Sequence, residues 1–403
     1  MRLESWPLHV LCVAAVFVGV ARGQSWDRFR GPNGTGTCAA ANLPSTLAPD
    51  QNVSWKIAAG NGSSSPIVSG DALYFTSYEG NARRLHCVDA ATGKTRWQRA
   101  VEKTRDETAS RPNGPATCTP VTDGQHVVVF YPDTALLCYS TSGALLWRTE
   151  VGPFHSMHGI ANSPILVRNL VIQMIDQLQE SYIAAYDLTT GKPAWKVDRI
   201  DGLTGGYSTP SLYVPQDGDP LIVASGARGL YGYHAASGDA AWSVPGVANA
   251  PVTVPVMWQA HAILCEPVGT VEPITMLAPL DKNKDRKSVP YVSSPVVYED
   301  VLYFIRDGGI LTSVDPASGK VLKRARLKKG GRKYYASPVA ADGKVFLIDT
   351  AGQVTVVRAA GSDWAELSTA TLGEPCFATP AIAGNRIYVR TAKTLYCFAV
   401  PTE

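Results

Sequence analysis

The chain lacks a dominant charge, any cysteine pair with a redox or metal spacing, sustained helical periodicity, and a long apolar run in its body. Thirty-seven Lys and Arg stand against 34 Asp and Glu in 403 residues, a formal net charge of +3. So balanced a chain does not read as a nucleic-acid binder. The eight cysteines include no CxxC, no adjacent pair and no zinc spacing, which sets aside thioredoxin-like and zinc-ribbon chemistry. No GxSxG elbow occurs, so a Ser-His-Asp nucleophile has no support. The glycines of Gly202 to Gly206 precede no helix and make no phosphate cradle. His155 and His158 form an HxxH pair without a third ligand.

The N-terminus differs from the body. Arg2 is followed by an apolar run from Leu8 to Val20 and then by Ala21-Arg22-Gly23. That run is too short to span a bilayer and suits a secretory leader, with cleavage expected after Gly23, or after Ala21 on a competing reading. Bulky Leu11 before Cys12 argues against a lipoprotein site. The expected organisation is a signal peptide over 1–23, an extension over 24–52 packing on the main body, and one repeat body over 53–403. Removal of Cys12 leaves seven cysteines, an odd number. Cys87, Cys138 and Cys397 occupy equivalent places in LHCVD, LLCYS and LYCFA and read as small core residues. Cys38, Cys118, Cys265 and Cys376 could form bridges that sequence cannot pair.

What the body has is one phrase written eight times, a proline after small or hydroxyl residues. The copies end at Pro66, Pro120, Pro164, Pro210, Pro255, Pro295, Pro338 and Pro380, spaced 40 to 54 residues apart. Between them, short runs of Val, Ile, Leu and Tyr alternate with Gly, Asp, Asn and Pro turns. A strand-only repeat of that length predicts a propeller. In the first copy SSSPIVSG, ALYFTSYEGN, RLHCVDAATGK and TRWQRA give four antiparallel strands.

Gly93, Gly143, Gly191 and Gly238 each precede a tryptophan by four residues, at Trp97, Trp147, Trp195 and Trp242. The glycine suits a tight hairpin needing positive φ, and the indole is expected at the seam between blades. In the sixth copy Gly319 keeps the turn while Lys323 replaces the tryptophan; the seventh has a shifted Trp364. The last copy holds only three strands, and VSWKI, Val53 to Ile57, supplies the fourth. The expected fold is therefore all-β: an eight-bladed propeller of four-stranded antiparallel blades, closed by pairing the N-terminal strand with the last blade. The fifth copy, Val252 to about Val289, has Pro255 but no Gly-x3-Trp, and its failure to form a blade would reduce the count to seven.

DAATGKTRW from Asp89 and YDLTTGKPAW from Tyr186 resemble the pyrroloquinoline quinone (PQQ)-like propeller repeat family over roughly Val53 to Val400. The opening WDRFRGPNGTG, and later GKVFLIDTAGQV and FATPAIAGNRIYVRT, resemble secreted bacterial members of that family. The resemblance implies one of two functions. One branch comprises PQQ-dependent alcohol and sugar dehydrogenases with calcium; the other comprises non-catalytic scaffolds of outer-membrane assembly. This chain is shorter than the dehydrogenases and lacks their adjacent cysteine pair and a recognisable calcium-ligand cluster. It also departs from the assembly lipoprotein, having no lipobox and carrying WDRFRGPNGTG.

Ligand-binding candidates are polar residues in loops surrounding one mouth of the ring: Arg111, His158, Asp176, Arg228, Arg306, Asp307, Tyr334, Tyr335, Asp349 and Arg390. Asn113, His155, Lys333, Glu79, Asp133 and Gln177 fall in the same loops. RFRG offers two arginines, or else packs across the ring on Trp26 and Phe29. The segment Lys320 to Lys333 carries eight Lys or Arg and reads as a solvated face or a contact for an acidic partner. The leading expectation is an exported, non-catalytic envelope scaffold with no catalytic residue, no metal and no resident cofactor. Its expected partner is an envelope protein or a small polar ligand, and not a nucleic acid.

The alternative is a PQQ-dependent oxidoreductase holding quinone and calcium at the mouth, for which Asp176, Asp307 and Asp349 are the carboxylates to nominate as base. A third reading makes Tyr334 and Tyr335 stacking platforms of a sugar or polysaccharide binder. A monomer is expected in each case.

Overall fold

The computed structural model describes residues 25–199, 206–215, 218–226, 229–245, 252–258, 261–263 and 290–401. The proposed leader, Cys12, Cys265 and Arg228 lie outside them, as does most of the fifth repeat.

The described residues form seven four-stranded antiparallel sheets and one two-stranded sheet. In the first blade Ile67–Ser69, Ala72–Glu79, Ala82–Asp89 and Thr95–Glu102 follow one another from the axis outward. Blades at 121–149, 165–198, 211–245, 296–326 and 339–371 repeat this order. The last blade has three strands from 381–399, and its outer strand is Val53–Ala58, paired antiparallel with Thr394–Ala399. Among the described residues the expected eight four-stranded blades are corrected to seven. At the fifth position the described residues give only the hairpin Val256–Trp258 and His261–Ile263, where the sequence has no Gly-x3-Trp turn to start an outer strand.

The proline phrase is explained by hydrogen bonds between neighbouring inner strands. The residue before each proline donates its backbone N–H to the hydroxyl of its counterpart in the next repeat. Ser65 donates to Thr119, Thr119 to Ser163 and Ser163 to Thr209, at 2.9 to 3.0 Å. Val254 then donates to Ser294, Ser294 to Ser337, Ser337 to Thr379, and Thr379 back to Ser65, again at 2.9 to 3.0 Å. A side chain thus satisfies a backbone donor that the short inner strand leaves unpaired. Only the step from the fourth repeat to the fifth departs from the pattern, because Val254 has no hydroxyl; there Ser208 Oγ donates to the Thr253 carbonyl at 2.8 Å.

The outer seam is held by tryptophan. The indole Nε1 of Trp55 donates to the Ala90 carbonyl, that of Trp97 to Thr141, Trp147 to Leu188 and Trp195 to Ala235, at 2.7 to 3.1 Å. Each ring lies on the turn glycine of the following blade. A Cβ at Gly93, Gly143, Gly191 or Gly238 would come within 2.6 to 2.8 Å of the preceding blade's indole. The glycine therefore serves twice, since it also adopts φ of 70 to 85°. Lys323 keeps the link without an indole: Nζ donates to the Trp364 carbonyl at 2.7 Å and sits 4.4 Å from that ring's centroid.

Across each blade, the residue opposite the indole is small. Cys397 faces Trp55, Cys87 faces Trp97, Cys138 faces Trp147, Ala185 faces Trp195 and Gly232 faces Trp242. This register accounts for the three equivalent cysteines, all at most 1% exposed. Cys38, Cys118 and Cys376 are unpaired as well. Burial pushes the Cys38 and Cys87 thiols up to about 11, those of Cys138, Cys376 and Cys397 to about 12, and Cys118 further. In the native protein at pH 8, a disulfide-exchange reagent is expected to leave the five buried thiols, Cys87, Cys118, Cys138, Cys376 and Cys397, unmodified over minutes, and to modify all of them in denaturant. Rapid native labelling at any of the five, located by peptide mapping, would contradict their burial.

A second expectation concerns pH. His86 stacks on Phe75 with ring centroids 4.4 Å apart, and its Nε2 lies 2.7 Å from Ser77 Oγ. Burial first, then the charges of Arg390 and Arg84, lower its pKa from the ordinary 6.5 to about 4. Because the native state refuses a proton that the unfolded chain accepts, stability is full above about pH 6.5 and falls as pH drops toward 4. The loss attributable to this ring is on the order of 3 kcal/mol. Urea unfolding of His86→Gln is expected to show a shallower pH slope over that window; an unchanged slope would count against the assignment.

Candidate functional site

The phrase that builds the ring also builds a cavity at its axis. Alternate residues of an extended segment point the same way, so the positions one and three before each proline face the channel as two tiers. The inner tier is the hydroxyl ring, and Ser65, Thr119, Ser163, Ser294, Ser337 and Thr379 all line the cavity. The outer tier is divided. Ser63, Thr117 and Ala161 are small, whereas Tyr207, Val252, Val292, Tyr335 and Phe377 form an apolar and aromatic wall. Tyr335 and Phe377 lie with ring centroids 6.1 Å apart, and Tyr207 lies 6.3 Å from the His158 ring. On the side of the small residues, Ser110, Arg111, Asn113 and His158 reach in from two loops. Those loops are tied by Asn113 Nδ2, which donates to the His158 carbonyl at 3.1 Å. The cavity holds about 280 Å³ and lies beside a wider vestibule of about 630 Å³ that includes Lys333 and Tyr78.

Its floor is Phe29, carried by the N-terminal segment that crosses the channel. Trp26 exchanges backbone hydrogen bonds with Val68 at 2.8 and 2.9 Å, and Asp27 accepts from the Thr122 N–H at 2.9 Å. Asn33 pairs through its side-chain amide with both backbone groups of Leu212, and the Gly36 carbonyl accepts from Ala340. Arg28 and Arg30 are 5% and 0% exposed. Arg28 Nη2 donates to the Pro210 carbonyl at 2.5 Å, and Arg30 to the carbonyls of Gly34, Ser294 and Pro295. Neither pairs with a described carboxylate. Burial lowers their pKa values to about 10 and about 9, so both remain cationic at neutral pH.

The ten candidate residues divide sharply. Arg111, His158 and Tyr335 line the cavity. Asp176 does not: it is fully buried and pairs with Arg199, Nε to Oδ1 at 2.6 Å. Asp349 is 1% exposed and accepts from the backbone of Ala351 and Gln353, both at 2.9 Å. Asp307 accepts from the Tyr334 N–H at 2.9 Å. Tyr334 itself is 2% exposed in a core cluster, which removes it as a stacking platform. Arg390 is 1% exposed and joins the last blade to the first through Ser64, Thr76 and Ala59. Arg306 is half-buried and lines neither cavity, and Arg228 lies outside the described residues. Loop charge does not mark the outer tier, so apart from Tyr335 the sequence reading missed it; Phe29 was expected to pack across the ring but not to line the site. The repeated phrase already contained the signal, at its third position before each proline.

The structure is similar to BamB from Moraxella catarrhalis, at 14% identity, a TM-score of 0.59, and coverage of 89% of this chain and 97% of that one. A europium-containing methanol dehydrogenase shares 11% identity with a TM-score of 0.60, covering 94% and 98% of the two chains. The quinohemoprotein alcohol dehydrogenase ADHIIG from Pseudomonas putida HK5 gives 11% identity and a TM-score of 0.66, covering 94% and 81%. No curated protein sequence matches the chain. At such identities the likenesses establish the fold alone.

The dehydrogenase likenesses nevertheless raise PQQ and calcium as groups to test against the cavity. Calcium takes six to eight oxygen ligands, carboxylates prominent among them. No described carboxylate lines the cavity or the vestibule. Among the described residues, no three His, Cys, Asp or Glu side chains gather as a metal site requires. Asp176, Asp307 and Asp349, the nominated bases, are engaged elsewhere. The described site therefore fits neither calcium nor a carboxylate base beside a quinone. A family model described as outer membrane protein assembly factor BamB matches residues 42–172, 81–256 and 281–402, and on that coverage the chain belongs to this PQQ-type propeller repeat family.

Proposed function

We propose that the protein is an exported, non-catalytic binding module of the cell envelope, with its ligand seated in the axial cavity. The observation that carries this reading is the cavity's lining: hydroxyls, aromatic rings, Arg111 and His158 converge there without a described carboxylate. Such a set orients and holds a ligand but offers neither a carboxylate base nor a metal ligand set for oxidation. Export and the envelope are supported by the leader-like residues 1–23 and by membership in the BamB family. No described helix is long and apolar enough to cross a membrane.

The test is recovery of ligand from envelope extracts by immobilised mature protein, with Ala161→Trp as the control. Ala161 lines the cavity without belonging to the hydroxyl ring, so a tryptophan there fills space and leaves the inner hydrogen bonds in place. Material retained by the wild type and lost with Ala161→Trp is the expected result. Equal recovery by both would place binding elsewhere and overturn the reading.

A further inference from the structure

The charge and hydrogen-bonding character of the cavity specify its ligand more closely, on the condition that the mouth is a binding site. Each of Ser65, Thr119, Ser163, Ser294, Ser337 and Thr379 already accepts a backbone N–H. A hydroxyl in that position retains its own hydrogen to donate. Among the described residues none of the six donates to a protein acceptor, so six O–H donors surround the axis at one level. Beneath them, Arg28 and Arg30 carry buried positive charge with no described carboxylate in ion-pair contact, although the charge of Asp27 acts on Arg28, and among the described residues Arg28 Nε and Nη1 lack any hydrogen-bond partner. Above them stand Arg111 and, in the vestibule, Lys333. The one acid of the crossing segment near these arginines, Asp27, does not line the cavity. The channel is built from donors and cations, and its natural occupant is an acceptor-rich anion.

Two further features give that anion a shape. Tyr335, Phe377 and Tyr207 present ring faces on one side, while the other side is small and polar. Lys333 also begins a basic strip running outward along the loop to the outer strand Val321–Arg326. Segment 320–333 holds eight cations and no acid. Against a total of +3, the rest of the chain is therefore net negative by five, so the strip is a local concentration of charge. Lys320, Lys328, Lys329, Arg332 and Lys333 are exposed.

We propose that the mouth binds an acidic polysaccharide. One acidic sugar unit occupies the cavity, its carboxylate toward the hydroxyl tier and its ring against Tyr335 and Phe377. The following units cross the strip from Lys333 to Lys320. A bilayer surface meets the strip but cannot enter the recessed cavity. An acidic peptide meets the charges but leaves the hydroxyl tier and ring faces largely unused. The polysaccharide engages all three features.

The test is calorimetric titration of the mature protein with oligogalacturonate, alginate and hyaluronate oligomers. Malto-oligosaccharides, poly-glutamate and phosphatidylglycerol vesicles serve as comparisons. Saturable binding of at least one acidic glycan is expected, about tenfold or more tighter than the neutral glycan and poly-glutamate. Tyr335→Ala is expected to weaken it about tenfold with an unchanged unfolding midpoint. Lys328→Gln/Lys329→Gln is expected to flatten the salt dependence for long oligomers but not for a disaccharide. Equal binding of poly-glutamate, indifference to Tyr335→Ala, or preference for vesicles would overturn the proposal. So would the absence of glycan binding, and if Ala161→Trp still abolished recovery from envelope extracts, the mouth would remain a binding site for another class of ligand.

Discussion

Replacing Arg390 with methionine is expected to destabilise the protein by about 2–4 kcal/mol, because the carbonyls it serves lose a charged donor. Arg390 belongs to the last blade, yet its partners lie in the first blade and the segment before it. Nη1 donates to the Ser64 carbonyl at 3.0 Å, to Ser64 Oγ at 2.7 Å and to the Thr76 carbonyl at 2.7 Å, while Nη2 reaches the Ala59 carbonyl at 3.3 Å. Methionine retains much of the aliphatic bulk, so the loss reports chiefly on these bonds. The guanidinium also lies 5.4 Å from the Phe75 ring on which His86 stacks. Removing its charge is therefore expected to raise the depressed His86 pKa and narrow the pH window of His-linked stability. Denaturant titrations at pH 5 and 7 measure both effects. A destabilisation below about 1 kcal/mol would show that this junction is held mainly by packing and the hydroxyl ring.

The second large effect lies at an outer seam. Trp147 is 8% exposed, donates to the Leu188 carbonyl at 2.7 Å and covers Gly191. Trp147→Ala is expected to cost about 3–5 kcal/mol, the usual range for deleting a large buried ring. Gly191→Ala places a Cβ 2.6 Å from that indole at a φ of 70°, and about 2 kcal/mol or more is expected from the combined clash and backbone strain. The double variant distinguishes this contact from two unrelated lesions. With the indole gone the new methyl has space, so the double variant should be more stable than the sum of the single effects by about 1–2 kcal/mol. Strict additivity would mean that glycine is required there for its backbone conformation alone.

Much of this architecture was legible in the chain. The proline phrase marked the inner strands, with Ser or Thr before the proline in all copies but the fifth, and the Gly-x3-Trp spacing marked four of the turns, because both motifs make contacts with a neighbouring repeat that recur at fixed offsets. VSWKI was readable as a displaced outer strand because it carries Trp55 at the position where the last repeat runs out. The fifth repeat misled the blade count, since Pro255 keeps its place in the ring while the described residues extend only to a hairpin. Site residues were harder to read. Asp176 and Asp349 follow the ends of strands and Arg390 closes one, positions that suggest a wet mouth, but their partners Arg199, Gln353 and Ser64 turn them inward. Adjacent tyrosines separated just as sharply, Tyr334 into a core cluster and Tyr335 into the cavity, as alternation along an extended segment requires. Charge alone does not reveal direction; the two-residue period, applied to the repeated phrase, would have.

The central claim, that a quinoprotein-like ring here serves binding and not oxidation, is tested most directly by titrating the mature protein with PQQ and calcium and then assaying dye-coupled oxidation of alcohols and sugars. The result expected from the cavity's lining is no turnover and no calcium-dependent binding of the quinone. Saturable calcium-dependent binding accompanied by turnover would contradict the claim and make the mouth an active site.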